Sequence, residues 1–348
     1  MTAPRDKLWP LEPHTRAKHE ILRRYLEAWS AILSHGRFET IAYVDGFAGP
    51  GVYAGGEDGS PIIALKAALQ HEAQIPETTR LLFLFIERDE DRADHLRGLV
   101  ESMGLPKRFR VKVVSTTFEQ GFRENLLDFY VKRGESLPPT FAFIDPFGWS
   151  HTPFELVRRI LAFPHCEILI NCMYEEINRF ISHPRHIEDF DRLFGTERWR
   201  CVQNAARPRE RRALLHDLYV QQLRDVANAR YVRSFEMRND NDATDYFLFF
   251  ATNSSQGIRK MKEAMWKVDQ SGEFVFSDAT NPDQLLLFGP QPDFTALERA
   301  ILGRFAGIEA RVEQIEEFVL AETPFRETHY KRQVLAILEQ RGELHPIA

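Results

Sequence analysis

Cysteine is scarce: the 348 residues hold three, Cys166, Cys172 and Cys201. They form no CxxC pair and no Cys–His cluster with zinc spacing, which excludes a disulfide scaffold and a cysteine-based metal site. Long apolar runs are lacking too. LLFLFI at 81–86 falls far short of the roughly 20 residues that span a bilayer, so no membrane segment is expected. MTAPRDKLWPLEPHTRAKHE, at the start, is too charged for a secretory signal, and a cytoplasmic protein is expected. Repeats and low-complexity tracts are missing. So is a basic excess: 45 basic residues stand against 51 acidic ones, for a net charge of −6. As a bulk figure that argues against a generic polyanion binder, which is usually basic. What is present is 43% apolar and 28% charged, ordinary for a globular enzyme. At about 150 residues per domain, the length leaves room for roughly two or three units.

Residues 15–34 carry apolar side chains at Ile21, Leu22, Tyr25, Leu26, Trp29, Ile32 and Leu33. This is helical spacing, with Thr15 expected as N-cap and Gly36 as stop. An alternation follows. Buried strands are expected at 41–47, 80–87, 108–116, 140–148 and 166–173. Helices are expected at 60–72, 89–103, 118–133 and 152–163, with Ser60 and Thr152 as N-caps and Pro61 and Pro153 at first positions. Continuous apolar strands separated by helices mean an α/β, Rossmann-like fold, a mostly parallel sheet with helices on both faces. Ligands of such sheets bind at the carboxyl ends of the strands.

Between 174 and 242 the alternation gives way to an Arg-, Glu- and His-rich stretch, expected as a helical insertion. Strands return at 245–253 and 272–278, around a helix at 257–270. Three helical stretches from 294 outline a small helix-turn-helix or winged-helix-like unit, with ELHPIA falling short of a full wing hairpin. The expected organisation is a helical extension over 1–36, an α/β domain over 37–280 carrying the insertion 174–242, a linker over 281–293 and a C-terminal domain over 294–348.

Three strand ends carry polar residues. The first is Asp45-Gly46-Phe47-Ala48-Gly49-Pro50-Gly51, an acid, three residues, then Gly-x-Gly. Glycine lets backbone approach a ligand, and the acid can order the loop or hold an ammonium group. GPGVYA also meets the loose dinucleotide pattern, but that pattern needs a helix starting in the loop. Here VYAGGEDGSP intervenes. A tight turn without a ligand is the plainer alternative. The second strand end is Glu87, placed to grip a ribose diol or simply solvated. The third is Asp145-Pro146-Phe147-Gly148, whose carboxylate can accept from an amine or act as a base, or only form a turn before the next helix. The strand between ends in Ser115-Thr116-Thr117-Phe118, without an acid.

In this order the motifs resemble those of class I S-adenosylmethionine-dependent methyltransferases. Asp-Pro-Phe-Gly is similar to, and departs from, the D-P-P-Y motif of amino-methyltransferases acting on adenine or cytosine. The second proline and the aromatic fourth position are lost, leaving Phe147 or Trp149 for stacking. A closer resemblance spans nearly the whole chain. PHTRAKHEILRRYLEAW (13–29), YVDGFAGPGVYAGGEDGSPIIAL (43–65), FAFIDPFGWSHTPFELV (141–157), EILINCMYEEINRF (167–180) and YFLFFATNSSQGIRKMKEAMWKVD (246–269) are similar to the bacterial three-Cys-motif partner proteins. The family takes its name from a radical-SAM-related partner that carries the three cysteines. The resemblance implies a class I methyltransferase fold, S-adenosylmethionine as cofactor, that protein as partner, and no particular substrate. It implies Asp45, Gly46, Gly49, Gly51, Glu87 and Thr117 at the cofactor, Asp145, Pro146 and Phe147 at the catalytic edge, and no metal.

The remaining candidates face the substrate. His14 and Lys18 share one face of the first helix, either as a surface pair or reaching into the site. The stretch 179–212 holds nine arginines against five acids, so the chain's acidity is an average with a local basic excess. Arg207, Arg209, Arg211 and Arg212 are its candidates for phosphate contact, since Arg binds phosphate in bidentate fashion. A solvated face with internal ion pairs is the alternative. In the tail, Arg326, His329, Lys331 and Arg332 cluster where a recognition helix would touch nucleic acid, although such units also bind proteins. The expected activity is methyl transfer to a DNA or RNA base. The alternative is a non-catalytic adaptor of the same fold that binds the partner or nucleic acid. A nicotinamide enzyme, and a metal-dependent nuclease built on Asp45, Glu87 and Asp145, are disfavoured.

Overall fold

Side chains along the early strands divide between two cores. Tyr43, Phe83, Phe85, Phe141 and Phe143 pack on one face of the sheet, and Val44, Leu84, Ile86, Ala142 and Ile144 on the other. This is the two-residue repeat of a strand buried on both sides. The structure, a computed structural model, describes residues 6–34, 36, 38–205, 207–279 and 292–347.

The elements run α1 (Pro13–Ser34), β1 (Thr40–Asp45), α2 (Ser60–Gln70), β2 (Arg80–Glu87), α3 (Glu90–Ser102), β3 (Phe109–Ser115), α4 (Phe118–Phe122) and α5 (Asp128–Val131). They continue with β4 (Thr140–Ile144), α6 (Phe154–Leu161), β5 (Cys166–Cys172), α7 (Tyr174–Phe180), α8 (Ile187–Phe194) and α9 (Pro208–Gln221). Then follow β6 (Tyr231–Arg238), β7 (Thr244–Thr252), α10 (Ser255–Val268), β8 (Val275–Ser277), α11 (Phe294–Phe305), α12 (Val312–Glu322) and α13 (Ala336–Gln340).

The strand order is β3-β2-β1-β4-β5-β7-β6-β8. β1 to β5 are parallel, and β7 runs antiparallel between β5 and β6. The sheet is the expected one: mostly parallel, Rossmann-like and covered by helices. Chain order reverses between β1 and β4, which opens a crevice at their carboxyl ends.

Several local expectations change. β6 lies inside the stretch expected to be helical. Phe235 and Met237 are buried while Ser234, Glu236 and Arg238 are not, a two-residue alternation hidden in an Arg-rich composition. The helix expected at 118–133 contains a π turn at Arg123–Leu127. α1 starts at Pro13, which suits a first turn, and leaves Thr15 inside the helix. Gly59, not Ser60, is the N-cap of α2, and Pro153, not Thr152, precedes α6. Of the linker expected at 281–293, residues 281–291 lie outside the described residues.

α1 crosses the first face of the sheet against α2 and α10. It buries Ile21, Leu22, Tyr25 and Leu26, each worth roughly 1.5–3 kcal/mol. Its N-terminal turns also bury His14, Lys18 and His19, so they point at the carboxyl edge of the sheet and not at water.

The C-terminal helices dock on α10 and β6. Lys262, fully buried on α10, donates to Val319 O at 2.9 Å and Leu320 O at 3.1 Å, capping the carbonyl end of α12. Burial holds its pKa well below the usual lysine value. Trp266 Nε1 donates to Pro324 O at 2.8 Å. Arg259 and Arg230 pair with Glu316 and Glu317 at 2.7 and 2.8 Å.

Candidate active site

The glycine loop is held from behind. Asp45 is completely buried at the end of β1. It accepts from Phe47 N at 3.2 Å and Tyr43 Oη at 3.4 Å, and from the Ser60 hydroxyl. Burial, its largest perturbation, pushes its pKa up to about 7. Gly49 and Gly51 have φ of +61 and +87, left-handed values that favour glycine. Gly49 N donates to Glu87 Oε2 at 2.9 Å, and Asp89 N to Glu87 Oε1 at 2.8 Å. Glu87 therefore ties the loop after β1 to the start of α3, and each of its oxygens keeps a lone pair for a further donor. An antiparallel bridge between Val52 and Asp58 closes the intervening segment and delays α2 to Ser60.

In front of this frame lies a cleft of about 330 Å³. Each of the first four strands contributes residues at or beyond its end: Gly46 and Phe47 after β1, Glu87 ending β2 and Arg88 after it, Thr117 and Phe118 after β3, Phe147 and His151 after β4. Phe47 and Phe118 stand 5.7 Å apart as a tilted aromatic pair. A Cβ on Gly46 would come within 2.6 Å of the Phe118 ring, so glycine there permits that wall. Of the expected cofactor residues, Gly46, Glu87 and Thr117 line the cleft; Asp45, Gly49 and Gly51 do not. Thr117 also caps α4, accepting from Gln120 N at 3.3 Å.

A second, smaller pocket of about 100 Å³ opens on the far side of Phe147, which lines both spaces. Asp145 is its polar centre. Lys18 Nζ lies 2.6 Å from Oδ2, and Asn171 Nδ2 donates to Oδ1 at 2.7 Å. Lys18 also sits 5.1 Å from the centroid of the Tyr246 ring. His14 binds Asp278 at 2.6 Å and Glu12 at 3.0 Å, so the face of α1 is wholly engaged. The surface-pair alternative for His14 and Lys18 is overturned, because both side chains are buried.

Other candidates are placed away from a free ligand surface. Trp149 is 7% exposed and stacked on Phe190 at 4.2 Å, so one ring face is taken by the chain itself. Arg211 donates to Asn178 Oδ1 at 3.1 Å, and Arg212 pairs with Glu236 at 2.8 Å. Arg192 pairs with Glu119, Arg179 with Glu175 and Arg200 with Asp191. Four of the nine arginines thus pair with acids, three of which (Glu119, Glu175 and Glu236) lie outside 179–212. Arg207 and Arg209 remain exposed, as do Lys331 and Arg332. His329 instead packs edge-on against Trp266 at 4.7 Å, and Arg326 faces Glu263 at 3.8 Å.

The sequence reading missed Arg88, Arg92, Phe118 and His151 at the cleft, and Trp9, Tyr53 and Tyr246 at the pocket. Position immediately after a strand could have marked Arg88 and Phe118. No local signal marks Trp9, which reaches the site by packing on Phe147 at 5.5 Å and under Arg92 at 4.9 Å.

Among the described residues no group of three or more His, Cys, Asp or Glu could hold a metal ion. No described helix is long and apolar enough to cross a membrane. Among solved structures, the chain is similar to an O-methyltransferase from Bacillus cereus in complex with SAH, at 15% identity and TM-score 0.33, covering 66% of this chain and 80% of that one. It is similar to Trm1 from Pyrococcus horikoshii with S-adenosyl-L-methionine, at 11% identity and TM-score 0.33, covering 72% and 58%. No curated protein matches. Residues 275–348 match the GMT-like wHTH domain.

Proposed function

We propose that the chain is an S-adenosylmethionine-dependent methyltransferase acting on a base of DNA or RNA, in concert with a three-Cys-motif partner protein. The observation that carries this reading is the pair of spaces divided by Phe147. One is a cleft bounded by four successive strand ends; the other is a polar pocket centred on Asp145. The residues present suit the cofactor. Phe47 and Phe118 offer apolar ring surface for an adenine, and the Glu87 carboxylate keeps lone pairs for a ribose diol.

When bound, the cofactor would supply an electrophilic methyl group. The protein's part is alignment and polar stabilisation. Asp45 and Glu87 hold the glycine loop, and Phe147 lines both spaces where the two reactants would meet. Asp145 and the Pro146 carbonyl orient the nucleophile. Arg207, Arg209, Lys331 and Arg332 are exposed cations that can meet phosphate.

A second reading, a non-catalytic adaptor of the same fold, is favoured by one observation: both oxygens of Asp145 already have partners within the chain. Transfer of labelled methyl to total RNA and DNA, with and without the partner, separates the two. Label that appears in a nucleoside and vanishes in Asp145→Ala supports the enzyme. No label, together with no calorimetric binding of S-adenosylmethionine, rejects it.

A further inference from the structure

We propose that the pocket beside Asp145 takes a single flipped-out nucleobase, with Asn171 Oδ1 accepting from the nitrogen that receives the methyl group and Lys18 Nζ donating to the ring acceptor next to it. The inference deepens the methyltransferase reading and rests on it.

Asn171 is the starting point. It is 3% exposed at the end of β5, and Nδ2 donates to Asp145 Oδ1 at 2.7 Å. An ionised carboxylate only accepts, so this contact sets which way the amide faces. The carbonyl oxygen Oδ1 is then left buried with no partner. A buried acceptor without a donor costs free energy that a folded chain rarely leaves uncompensated. In a pocket, the missing donor is a ligand N–H.

Lys18 supplies the complementary group. Its ammonium carries three donors and binds the other oxygen of the same carboxylate at 2.6 Å. One carboxylate thus holds an acceptor and a donor side by side. Adjacent N–H and acceptor positions on one edge of a heterocycle match that pair. The walls suit a flat ring: Tyr53, Phe147 and Tyr246 line the pocket, and aromatic side chains stack on bases of any sequence. A space of about 100 Å³ admits one small ring and not a duplex, so the base must leave its stack. Lys18 also cancels the charge of Asp145, and His14 engages Asp278 and Glu12. The pocket therefore favours a neutral ring over the cationic side chain of a protein substrate.

The chemistry balances with these groups. The lone pair of the target nitrogen forms the N–C bond as the C–S bond breaks with its pair left on sulfur. The nitrogen then sheds its proton to the Asp145 carboxylate, which passes it to water. Asn171, a neutral amide, holds the N–H in line and takes no proton.

The test uses the full chain and labelled S-adenosylmethionine with total RNA and genomic DNA, followed by nucleoside mass spectrometry. Label is expected on a base nitrogen. Asn171→Leu, close in size, is expected to lower transfer at least 100-fold, with the calorimetric affinity for S-adenosylhomocysteine held within threefold. A measurement on the unaltered protein guards against misfolding. An oligonucleotide carrying C–H in place of the ring acceptor beside the target nitrogen is expected to lose at least tenfold in kcat/KM. Lys18→Met is expected to show no further loss on that analogue. Label on a carbon or a ribose oxygen, undiminished transfer by Asn171→Leu, or full activity on the analogue overturns this inference and leaves methyl transfer to nucleic acid standing. Label only in protein, or no transfer to nucleic acid, overturns the parent reading and this pocket with it.

Discussion

The ammonium of Lys18, on the first helix, lies 2.6 Å from Oδ2 of Asp145 at the carboxyl end of β4, and the two side chains are 6% and 19% exposed. The N-terminal helix thereby completes a site whose acid stands at a strand end. Removing one partner of a fully buried pair costs about 3–5 kcal/mol, because the remaining charge stays desolvated. Asp145 keeps some contact with water, so Lys18→Met is expected to cost less, about 2 kcal/mol. It is also expected to lower methyl transfer at least tenfold. Urea unfolding and the labelled-methyl assay check both, and an unchanged unfolding midpoint would contradict the pairing.

Glu87 receives two backbone N–H groups, from Gly49 and Asp89. Glu87→Gln turns one acceptor into a donor that faces an N–H. An unmet buried donor costs about 1–3 kcal/mol. Cofactor affinity is expected to fall at least tenfold, measured by calorimetry with S-adenosylhomocysteine. Equal affinity would mean that neither the loop nor a ribose depends on this carboxylate.

Asp45 makes stability depend on pH. Its pKa is pushed up from 3.8 to about 7, chiefly by burial. Between those values the folded state holds a proton that the unfolded chain has released. Its contribution is fully present below the unfolded pKa and is lost as pH rises through the folded one. The unfolding free energy of wild type relative to Asp45→Asn is expected to fall from pH 5 to pH 7, by at most about 1.4 kcal/mol per unit, and then to level off. His19 acts in the opposite sense. Burial lowers its pKa to about 3, so its contribution is lost as pH falls below the usual histidine value. The comparison with Asp45→Asn removes that background. A parallel pH course for the two proteins would show that Asp45 is ionised when folded.

Trp149 and Phe190 stack at 4.2 Å, and Phe190 is fully buried. Phe190→Ala is expected to cost about 3–5 kcal/mol and to leave affinity for S-adenosylhomocysteine unchanged. Thermal unfolding and calorimetry separate the two effects. Lost cofactor binding in a protein that is still folded would extend the site to Trp149.

Charge reversal at Arg207 and Arg209, and separately at Lys331 and Arg332, tests the proposed contact with nucleic acid. Each phosphate contact removed is expected to lower the salt slope of binding by about one, read from affinity for an oligonucleotide across salt concentrations. Reversal at Arg211 or Arg212 is expected to act through stability instead, because both have partners inside the chain. Unaltered slopes would reject both patches.

The sheet was legible because its signal is local. Apolar runs such as Arg80–Glu87 and Cys166–Cys172 identify themselves by continuity, and polar residues just beyond them mark the ligand edge. β6 was not legible: Tyr231–Arg238 carries charge on its less buried side, and its strand character comes from pairing with β7. The cap at Gly59 was misjudged because Ser60 spends its hydroxyl on Asp45, a partner from another element.

By itself the sequence determined the order of strands and helices from β1 to β5, the glycine loop and the acids at three strand ends, since these follow from period and neighbouring residues. Only the tertiary structure decided that Lys18 and Asn171 share Asp145, that Trp9 reaches the cleft, and that Trp149, Arg211 and Arg212 are used within the chain. Those outcomes depend on which distant segments the two cores bring together, and that is not written in spacing along the chain.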